Sequence, residues 1–250
     1  MSSPRILILR APGTNCDMET AFAFEQAGGI AERLHLNRLL ESPSLVQEFQ
    51  ILCIPGGFSY GDDVGAGRIF ANQIRHHLVD SLREFRDQGK LILGICNGFQ
   101  VLMKSGLLDT DDQEGPAATL AWNDSGRFID RWTRLRIEDR PGCSVFLTGI
   151  GQMFLPVAHA EGKFVTRDRR TLDRFDQNGQ LVLRYEPSQN PNGAVSDVAG
   201  MCDKTGRVLG MMPHPERYID PTQHPQWTRL ASLAVGDGLR LFQNAVGYFL

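Results

Sequence analysis

The sequence has few cysteines and little net charge, and it lacks several motifs that define binding classes. Its five cysteines in 250 residues include no Cys-x-x-Cys pair, which fits neither a disulfide framework nor a zinc site. The net charge is −3, and the one basic cluster, Arg167–Arg170, is interrupted by an acid. A surface for nucleic acid or for an anionic membrane is therefore not expected. We expect a reduced, cytoplasmic protein with no metal ion and no nucleic-acid partner.

Long hydrophobic runs are also scarce. Only four apolar residues, Ile6–Leu9, separate Arg5 from Arg10, which is too few for the core of a signal peptide. Residues 141–160 carry no formal charge and are long enough to cross a bilayer. They contain two prolines and three glycines, which are typical of short strands joined by turns. We therefore expect no membrane span.

Hydrophobic residues make up 42% of the chain, which is enough for a chain of this length to bury a core without disulfides. In the N-terminal half, short apolar runs alternate with helical patterns, as in βα units around a parallel sheet. The predicted strands are Arg5–Leu9, Ala31–Leu36, Ile51–Ile54 and Leu91–Ile95. The predicted helices are Met18–Ala27, a long one from Gly67 to Gln88, and Gly98–Lys104.

The C-terminal half has a different pattern, in which strands are joined by tight turns. The strands predicted there are Arg127–Glu138, Val145–Ile150, Leu181–Tyr185, Val195–Cys202 and Val208–Met211, before a closing helix at Gly238–Leu250. We expect one α/β domain, residues 1–250, with a mostly parallel central sheet flanked by helices and additional antiparallel strands in the C-terminal half. The acidic segment Asp109–Ala118 is the best candidate for a surface insertion.

The strongest local motif is Gly94-Ile95-Cys96-Asn97-Gly98, which lies between an apolar strand and a helix. Small residues two positions before and after a central residue permit the sharp turn of a nucleophile elbow. The partial positive charge at the N-terminus of the helix favours a thiolate at Cys96. A single cysteine is usually an inert core residue, and we interpret the other four in that way. The strand–turn–helix context instead predicts that Cys96 is a nucleophile.

A thiolate nucleophile needs a proton shuttle, and His214 is the best of the six histidines. It lies in Met212-Pro213-His214-Pro215-Glu216, just after the last predicted strand. Residues two apart in an extended segment point the same way, so Glu216 can orient the imidazole and support its protonated form. The alternative is a structural His–Glu pair.

Acyl transfer also needs backbone N–H groups that stabilise an oxyanion. Asn97, directly after the nucleophile, is one candidate. Gly57, in the Pro55-Gly56-Gly57-Phe58 loop after the third strand, is the other. The alternative is that the two glycines only form a turn.

With these residues in place, the chain resembles the class I glutamine amidotransferases and, within them, the glutaminase subunits of phosphoribosylformylglycinamidine synthase from purine biosynthesis. The similarity runs from about Ile6 to Arg217. The motifs that carry it are Ala11–Asp17, Pro55–Asp62, Gly94–Gln100, His159–Phe164, Asn190–Gly193 and Met212–Arg217. The strings Phe-Ser-Tyr-Gly-Asp and Asn-Pro-Asn-Gly favour the narrower group.

The resemblance implies a Cys96–His214–Glu216 triad that hydrolyses glutamine to glutamate and ammonia, with oxyanions held by Gly57 and Asn97. It also implies glutamine contacts at Gln100, Asn123 and Phe128. No cofactor is expected on this chain. ATP and Mg²⁺ belong to a separate synthetase subunit, which receives the ammonia and acts with a small accessory subunit.

Other motifs have two interpretations. Asn15-Cys16-Asp17 matches the family, or simply caps a helix. Tyr60–Asp63 contacts the synthetase or orders a loop. His159 and Glu161 are also two residues apart, but a structural or interface role is favoured for them. The acidic stretch Asp109–Glu114 and the tail beyond Tyr218 look longer than in a minimal member of the group.

Three alternatives to this function stay open. The first is a related enzyme, such as a glutaminase subunit of another amidotransferase, a cysteine peptidase or a deglycase. The second is a non-catalytic regulatory or binding subunit with the same fold. The third is a stand-alone glutaminase, although the chain has neither a phosphate loop nor an ATP-handling domain of its own.

Overall fold

A nine-stranded sheet runs through the computed structural model, which describes residues 2–108, 111–112, 115–138, 144–229 and 235–250. Residues 109–110 and 113–114 of the predicted insertion Asp109–Ala118, as well as Cys143, lie outside the described residues. The strands in chain order are β1 (Arg5–Arg10), β2 (Ile30–His35), β3 (Ile51–Ile54), β4 (Leu91–Ile95), β5 (Asp111–Asp112), β6 (Gly115–Pro116), β7 (Ala118–Ala121), β8 (Ile129–Ile137), β9 (Gln152–His159), β10 (Lys163–Thr166), β11 (Leu183–Tyr185), β12 (Val198–Cys202) and β13 (Val208–Met211).

The sheet is parallel in one half and antiparallel in the other. Its strand order is β2-β1-β3-β4-β13-β12-β11-β8-β9, and every pair from β2 to β13 in that order is parallel. The remaining pairs are antiparallel. Strands β3, β4 and β13 are buried along their whole length, as expected for parallel strands covered on both faces. The predicted fold class is confirmed.

Helices cover this sheet. They are α1 (Asp17–Gln26), α2 (Leu36–Glu41), α3 (Arg68–His77), α4 (Val79–Asp87), α5 (Asn97–Ser105), α6 (Arg169–Gln177) and α7 (Leu239–Gly247). Short 3-10 helices lie at Pro43–Glu48, Ser59–Asp62, Val195–Asp197, Pro215–Arg217, Pro221–Gln223 and Trp227–Arg229. Helix α5 packs on β3, β4 and β13, and α1 packs on β1, β2 and α7. The rings of Phe24 and Phe242 meet edge to face at 4.8 Å between α1 and α7.

The predicted long helix from Gly67 to Gln88 is wrong in one respect, because it is two helices that meet at Leu78. Leu78 has φ −128° and ψ −11°, outside the helical range. Its N–H still bonds to Ile74 O at 2.8 Å, and its carbonyl accepts from Leu82 N at 2.9 Å. Ile74, Leu78 and Leu82 are all buried, so the apolar periodicity continues across the break and does not reveal it.

The predicted strand Val145–Ile150 is also wrong, since these residues form turns. Thr148 Oγ1 bonds to Val145 O at 3.1 Å, and Ile150 N bonds to Leu147 O at 3.1 Å. Gly149 adopts φ 70° between them, a conformation that favours glycine. The strand of this region is β9, which follows the turns. Every helix in the described part of the chain is too short or too polar to span a bilayer.

Candidate active site

Cys96 occupies a strained turn between β4 and α5. Its backbone has φ 51° and ψ −105°, which a residue other than glycine rarely adopts. A Cβ at Gly98 would lie 1.8 Å from Ile54 O, and one at Gly94 would lie 2.6 Å from Gly98 O. The two glycines of the motif are therefore required by close packing around the turn, and the strand–elbow–helix arrangement predicted from sequence is present.

His214 and Glu216 form a buried pair directly after β13. Their side chains are 2% and 0% exposed, and His214 Nδ1 lies 2.7 Å from Glu216 Oε1. The backbone N–H of His214 donates to Pro156 O at 2.9 Å, which ties the pair to β9. The two residues meet through the 3-10 turn Pro215–Arg217, whereas the sequence predicted an extended segment.

Three side chains, those of Cys96, His214 and Cys16, surround Gly56. A Cβ built on Gly56 would lie 2.8 Å from His214 Cε1, 3.0 Å from Cys16 Sγ and 3.5 Å from Cys96 Cβ. Any side chain at position 56 would therefore displace these groups. The Cys96 thiol also contacts Ala158 O at 3.5 Å, so β9 passes alongside it.

The electrostatics of the pair favour a protonated His214. Burial by itself lowers the pKa of the imidazole, but the facing Glu216 carboxylate and the thiols of Cys96 and Cys16 together raise it well above its ordinary value. Among the described residues, His214 Nε2 and Glu216 Oε2 are buried without a hydrogen-bond partner. A buried polar atom without a hydrogen bond costs free energy, unless a ligand or a reacting group bonds to it.

The two predicted oxyanion donors both adjoin the elbow. Asn97 is the first residue of α5, where backbone N–H groups have no partner within the helix. Gly57 has φ 148° and pairs with Thr14 in an isolated bridge. The bonds of that bridge run from Phe58 N to Gly13 O and from Asn15 N to Gly56 O. The Gly57 N–H takes no part in them.

The three predicted substrate contacts have different surroundings. Gln100 is buried, donates to Glu161 O at 2.5 Å and accepts from Asn97 Nδ2 at 2.9 Å. Phe128 is 49% exposed and faces Phe58, with 6.2 Å between ring centroids. Phe58 follows Gly57 directly, so Phe128 lies beside the predicted oxyanion loop.

Asn123 is buried, and its amide is fully occupied inside the protein. Its Nδ2 donates to His159 O at 2.8 Å and to Arg127 O at 3.0 Å. Its Oδ1 lies 3.1 Å from His159 Nδ1 and accepts from Gly162 N at 3.2 Å. In this arrangement Asn123 fixes the loop that carries Phe128.

Comparisons with known proteins show the family to which this chain belongs. The sequence profile of the CobB/CobQ-like glutamine amidotransferase domain matches residues 3–249. The chain belongs to this amidotransferase family. Phosphoribosylformylglycinamidine synthase subunit PurQ of Dehalococcoides mccartyi is 46% identical over 98% of each chain. The subunit PurQ of Methanococcus maripaludis is 40% identical over 98% of this chain and 97% of its own length.

The amidotransferase is also similar to a solved structure. A chain in the structure of PurLQS from Thermotoga maritima superimposes with a TM-score of 0.77 and 29% identity. The match covers 99% of this chain and 100% of the other.

One residue of this amidotransferase site, Cys16, has a position that the sequence interpretation missed. Cys16, at the N-terminus of α1, accepts from Arg217 Nη2 at 3.1 Å and donates to Asn15 Oδ1 at 3.2 Å. It makes no side-chain cap to the helix, so the capping alternative for this motif is not what the structure has. With His214 and Glu216 it forms a group close enough to share a metal ion. His159, for which the sequence favours a structural or interface role, is buried and lies 3.1 Å from Asn123 through Nδ1 and Oδ1.

Glu161 does not pair with His159, as its carboxylate accepts instead from Ala66 N at 3.3 Å. The pair with the geometry of a catalytic dyad is therefore His214–Glu216.

Proposed function

We propose that this chain is the glutaminase subunit of a phosphoribosylformylglycinamidine synthase in purine biosynthesis. The observation that carries the proposal is the Cys96 elbow beside the buried pair in which His214 Nδ1 lies 2.7 Å from Glu216 Oε1. The PurQ relatives, 46% and 40% identical over nearly the whole chain, support the substrate and the pathway.

The first half of the reaction uses Cys96 as nucleophile. Its thiolate attacks the side-chain carbonyl carbon of glutamine, and the carbonyl electron pair moves onto oxygen. The N–H groups of Gly57 and Asn97 stabilise that oxyanion. When it collapses, the C–N bond breaks and His214 donates its proton to the departing nitrogen, which leaves ammonia and a glutamyl thioester.

The second half restores the enzyme. His214, now neutral, takes a proton from water as the water attacks the thioester, and the oxyanion again forms between Gly57 and Asn97. The C–S bond then breaks, which releases glutamate and returns Cys96 as thiolate beside a protonated His214. Glu216 holds Nδ1–H throughout, so Nε2 exchanges the protons.

The remaining predicted residues position the substrate. We assign Gln100 and Phe128 to the walls of the glutamine site, since Gln100 adjoins Asn97 and Phe128 adjoins the Gly57 loop. Asn123 acts through the loop, because its own amide is occupied by His159 and its neighbours.

The partner is a synthetase subunit together with a small accessory subunit. The similarity to a chain of PurLQS from Thermotoga maritima supports this assembly. ATP and Mg²⁺ are assigned to the synthetase, and no cofactor to this chain. We also propose that residues 1–250 act as one amidotransferase domain in the cytoplasm. One sheet takes strands from Arg5 to Met211, and the described cysteines are not joined in disulfides.

The proposal is tested by intact mass after incubation with diazo-oxo-norleucine, a glutamine-analogue electrophile. One adduct that is lost in Cys96→Ala, but kept in the matched control Cys202→Ser, supports a glutamine pocket around Cys96. Labelling that requires the added synthetase supports assembly gated by the partner. Absence of labelling with and without the synthetase contradicts the proposal and favours a binding subunit.

The isolated chain should be a weak glutaminase, because the ammonia acceptor lies on another subunit. Full glutamine turnover without a partner would instead favour a stand-alone glutaminase.

A further inference from the structure

Cys16 lies in the active site without a role in the proposed reaction. Its thiol is buried and adjoins the His214 ring, since both lie within 3.0 Å of one point beside Gly56. Cys96 reaches the same point from β4. The imidazole of His214 therefore lies beside two thiols, that of Cys96 at the elbow and that of Cys16 at the start of α1.

The donor atoms around His214 suit a thiophilic divalent cation. Cys16 Sγ, a ring nitrogen of His214 and a carboxylate oxygen of Glu216 lie within 4.8 Å of one another. Zn²⁺ binds Cys, His and Glu at about 2.0–2.3 Å, so modest side-chain movements would bring all three onto one ion. His214 Nε2 and Glu216 Oε2 are both buried without a partner among the described residues.

A cation at this point would have two acidic ligands, and it would have to displace Arg217, whose Nη2 donates to Cys16 Sγ at 3.1 Å. A bound metal deprotonates a coordinating thiol. Cys16 thiolate and Glu216 carboxylate would then offset the ion's two charges. Arg217 is itself paired with Glu19 at 2.9 Å.

We propose that Cys16, His214 and Glu216 form an inhibitory site for Zn²⁺ or a similar thiophilic divalent cation. An ion held there occupies the imidazole lone pair that the reaction uses and pulls Glu216 away from its orienting contact. Glutamine attack by Cys96 would then have no proton shuttle. The inhibitory consequence rests on the proposed glutaminase function, whereas metal binding itself does not.

Metal binding is measured on the whole chain by calorimetry with Zn²⁺ and by the ultraviolet thiolate-to-metal absorption with Cd²⁺. We expect the wild-type chain to bind one ion. The affinity of Cys96→Ala for the ion should stay near that of the wild type, whereas that of Cys16→Ser should be weaker by about 100-fold or more. Cys202→Ser is the matched control, because Cys202 is also a buried cysteine. Absence of saturable binding to the wild-type chain overturns the proposal. Metal binding that is lost in Cys96→Ala and kept in Cys16→Ser also overturns the proposal.

A second measurement does not depend on the folding of the Cys16 variant. Zinc-edge X-ray absorption of Cys96→Ala should show one sulfur and one imidazole nitrogen on the ion, and a shell without sulfur overturns the assignment. The rate of diazo-oxo-norleucine labelling in the wild-type chain then tests inhibition. Labelling that slows as the site fills supports it. An unchanged labelling rate with metal bound overturns the inhibitory role. Wild-type chain that labels neither with nor without the added synthetase contradicts the glutaminase function instead.

Discussion

The Asn123 amide and the His159 imidazole fix each other's orientation across 3.1 Å. Because Asn123 Nδ2 donates to two carbonyls, its Oδ1 must accept from His159. His159 therefore carries its proton on Nδ1. Its Nε2 lies buried without a partner among the described residues, so a second proton there would be poorly accommodated.

This geometry makes the stability of the protein depend on pH through the titration of His159. Burial, together with the charge of His214, lowers the pKa of His159 to about 4. The unfolded chain binds a proton at this residue below about pH 6.5, whereas the native protein does so only near pH 4. The contribution of His159 to the free energy of unfolding is therefore present above pH 6.5. It is lost as the pH falls towards 4, by about 3 kcal/mol in total.

We expect His159→Gln to flatten that dependence, because glutamine cannot take up the proton. Urea unfolding between pH 7.5 and pH 4.5 measures it, with the exposed-helix variant His76→Gln as the control. A wild-type chain and a His159→Gln chain with parallel pH profiles would contradict the assignment.

Glu216→Gln should greatly reduce catalysis while leaving the fold intact. A glutamine amide can donate to His214 Nδ1, and the imidazole proton then lies on Nε2. A protonated Nε2 cannot accept the proton that the reaction delivers to it. A comparable change in a serine-protease triad reduces kcat about 10⁴-fold, and we expect a loss of about 10²–10⁴-fold in glutaminase turnover of the assembled enzyme.

The control for this experiment is Glu161→Gln, since Glu161 is also two residues after a buried histidine. In the part of the chain that the structure describes, its carboxylate accepts from the Ala66 backbone, and an amide oxygen can replace it there. If Glu161→Gln lost as much activity as Glu216→Gln, the triad assignment would be wrong.

The elbow and the His214–Glu216 pair could be predicted from the sequence because the residues that form each of them are close together along the chain. The glycines at 94 and 98 identify the turn around Cys96, and only one residue separates His214 from Glu216. The parallel strands β3, β4 and β13 could be predicted for a similar reason, since they are continuous apolar runs of four or five residues.

What could not be predicted depends on contacts between distant segments. Cys16 and His214 lie at opposite ends of the chain, and only the topology of the sheet brings both beside Gly56. The Asn123–His159 contact likewise joins the loop after β7 to the end of β9. The break at Leu78 preserves the apolar periodicity on both sides, so no pattern of hydropathy could reveal it.

Gly98→Ala should destabilise the protein, because the new Cβ would lie 1.8 Å from Ile54 O. Backbone cannot move aside as a flexible side chain can, so we expect a loss of about 3 kcal/mol or more. Denaturant unfolding measures this loss. Gly151→Ala is the control, since its Cβ would meet nothing within 4 Å. Equal stability of the two variants would contradict the tight packing of the elbow.

Phe128→Ala should weaken glutamine binding more than the chemical step. The Phe128 ring is exposed and faces Phe58 beside the Gly57 loop, where it can cover the substrate without touching the reacting atoms. Loss of an apolar contact of this kind raises KM by about tenfold with a smaller change in kcat. Steady-state glutaminase kinetics of the assembled enzyme measure both constants. Phe22→Ala is the matched control, because Phe22 is a similarly exposed aromatic residue on α1. A fall in kcat at unchanged KM would place Phe128 in the chemical step instead.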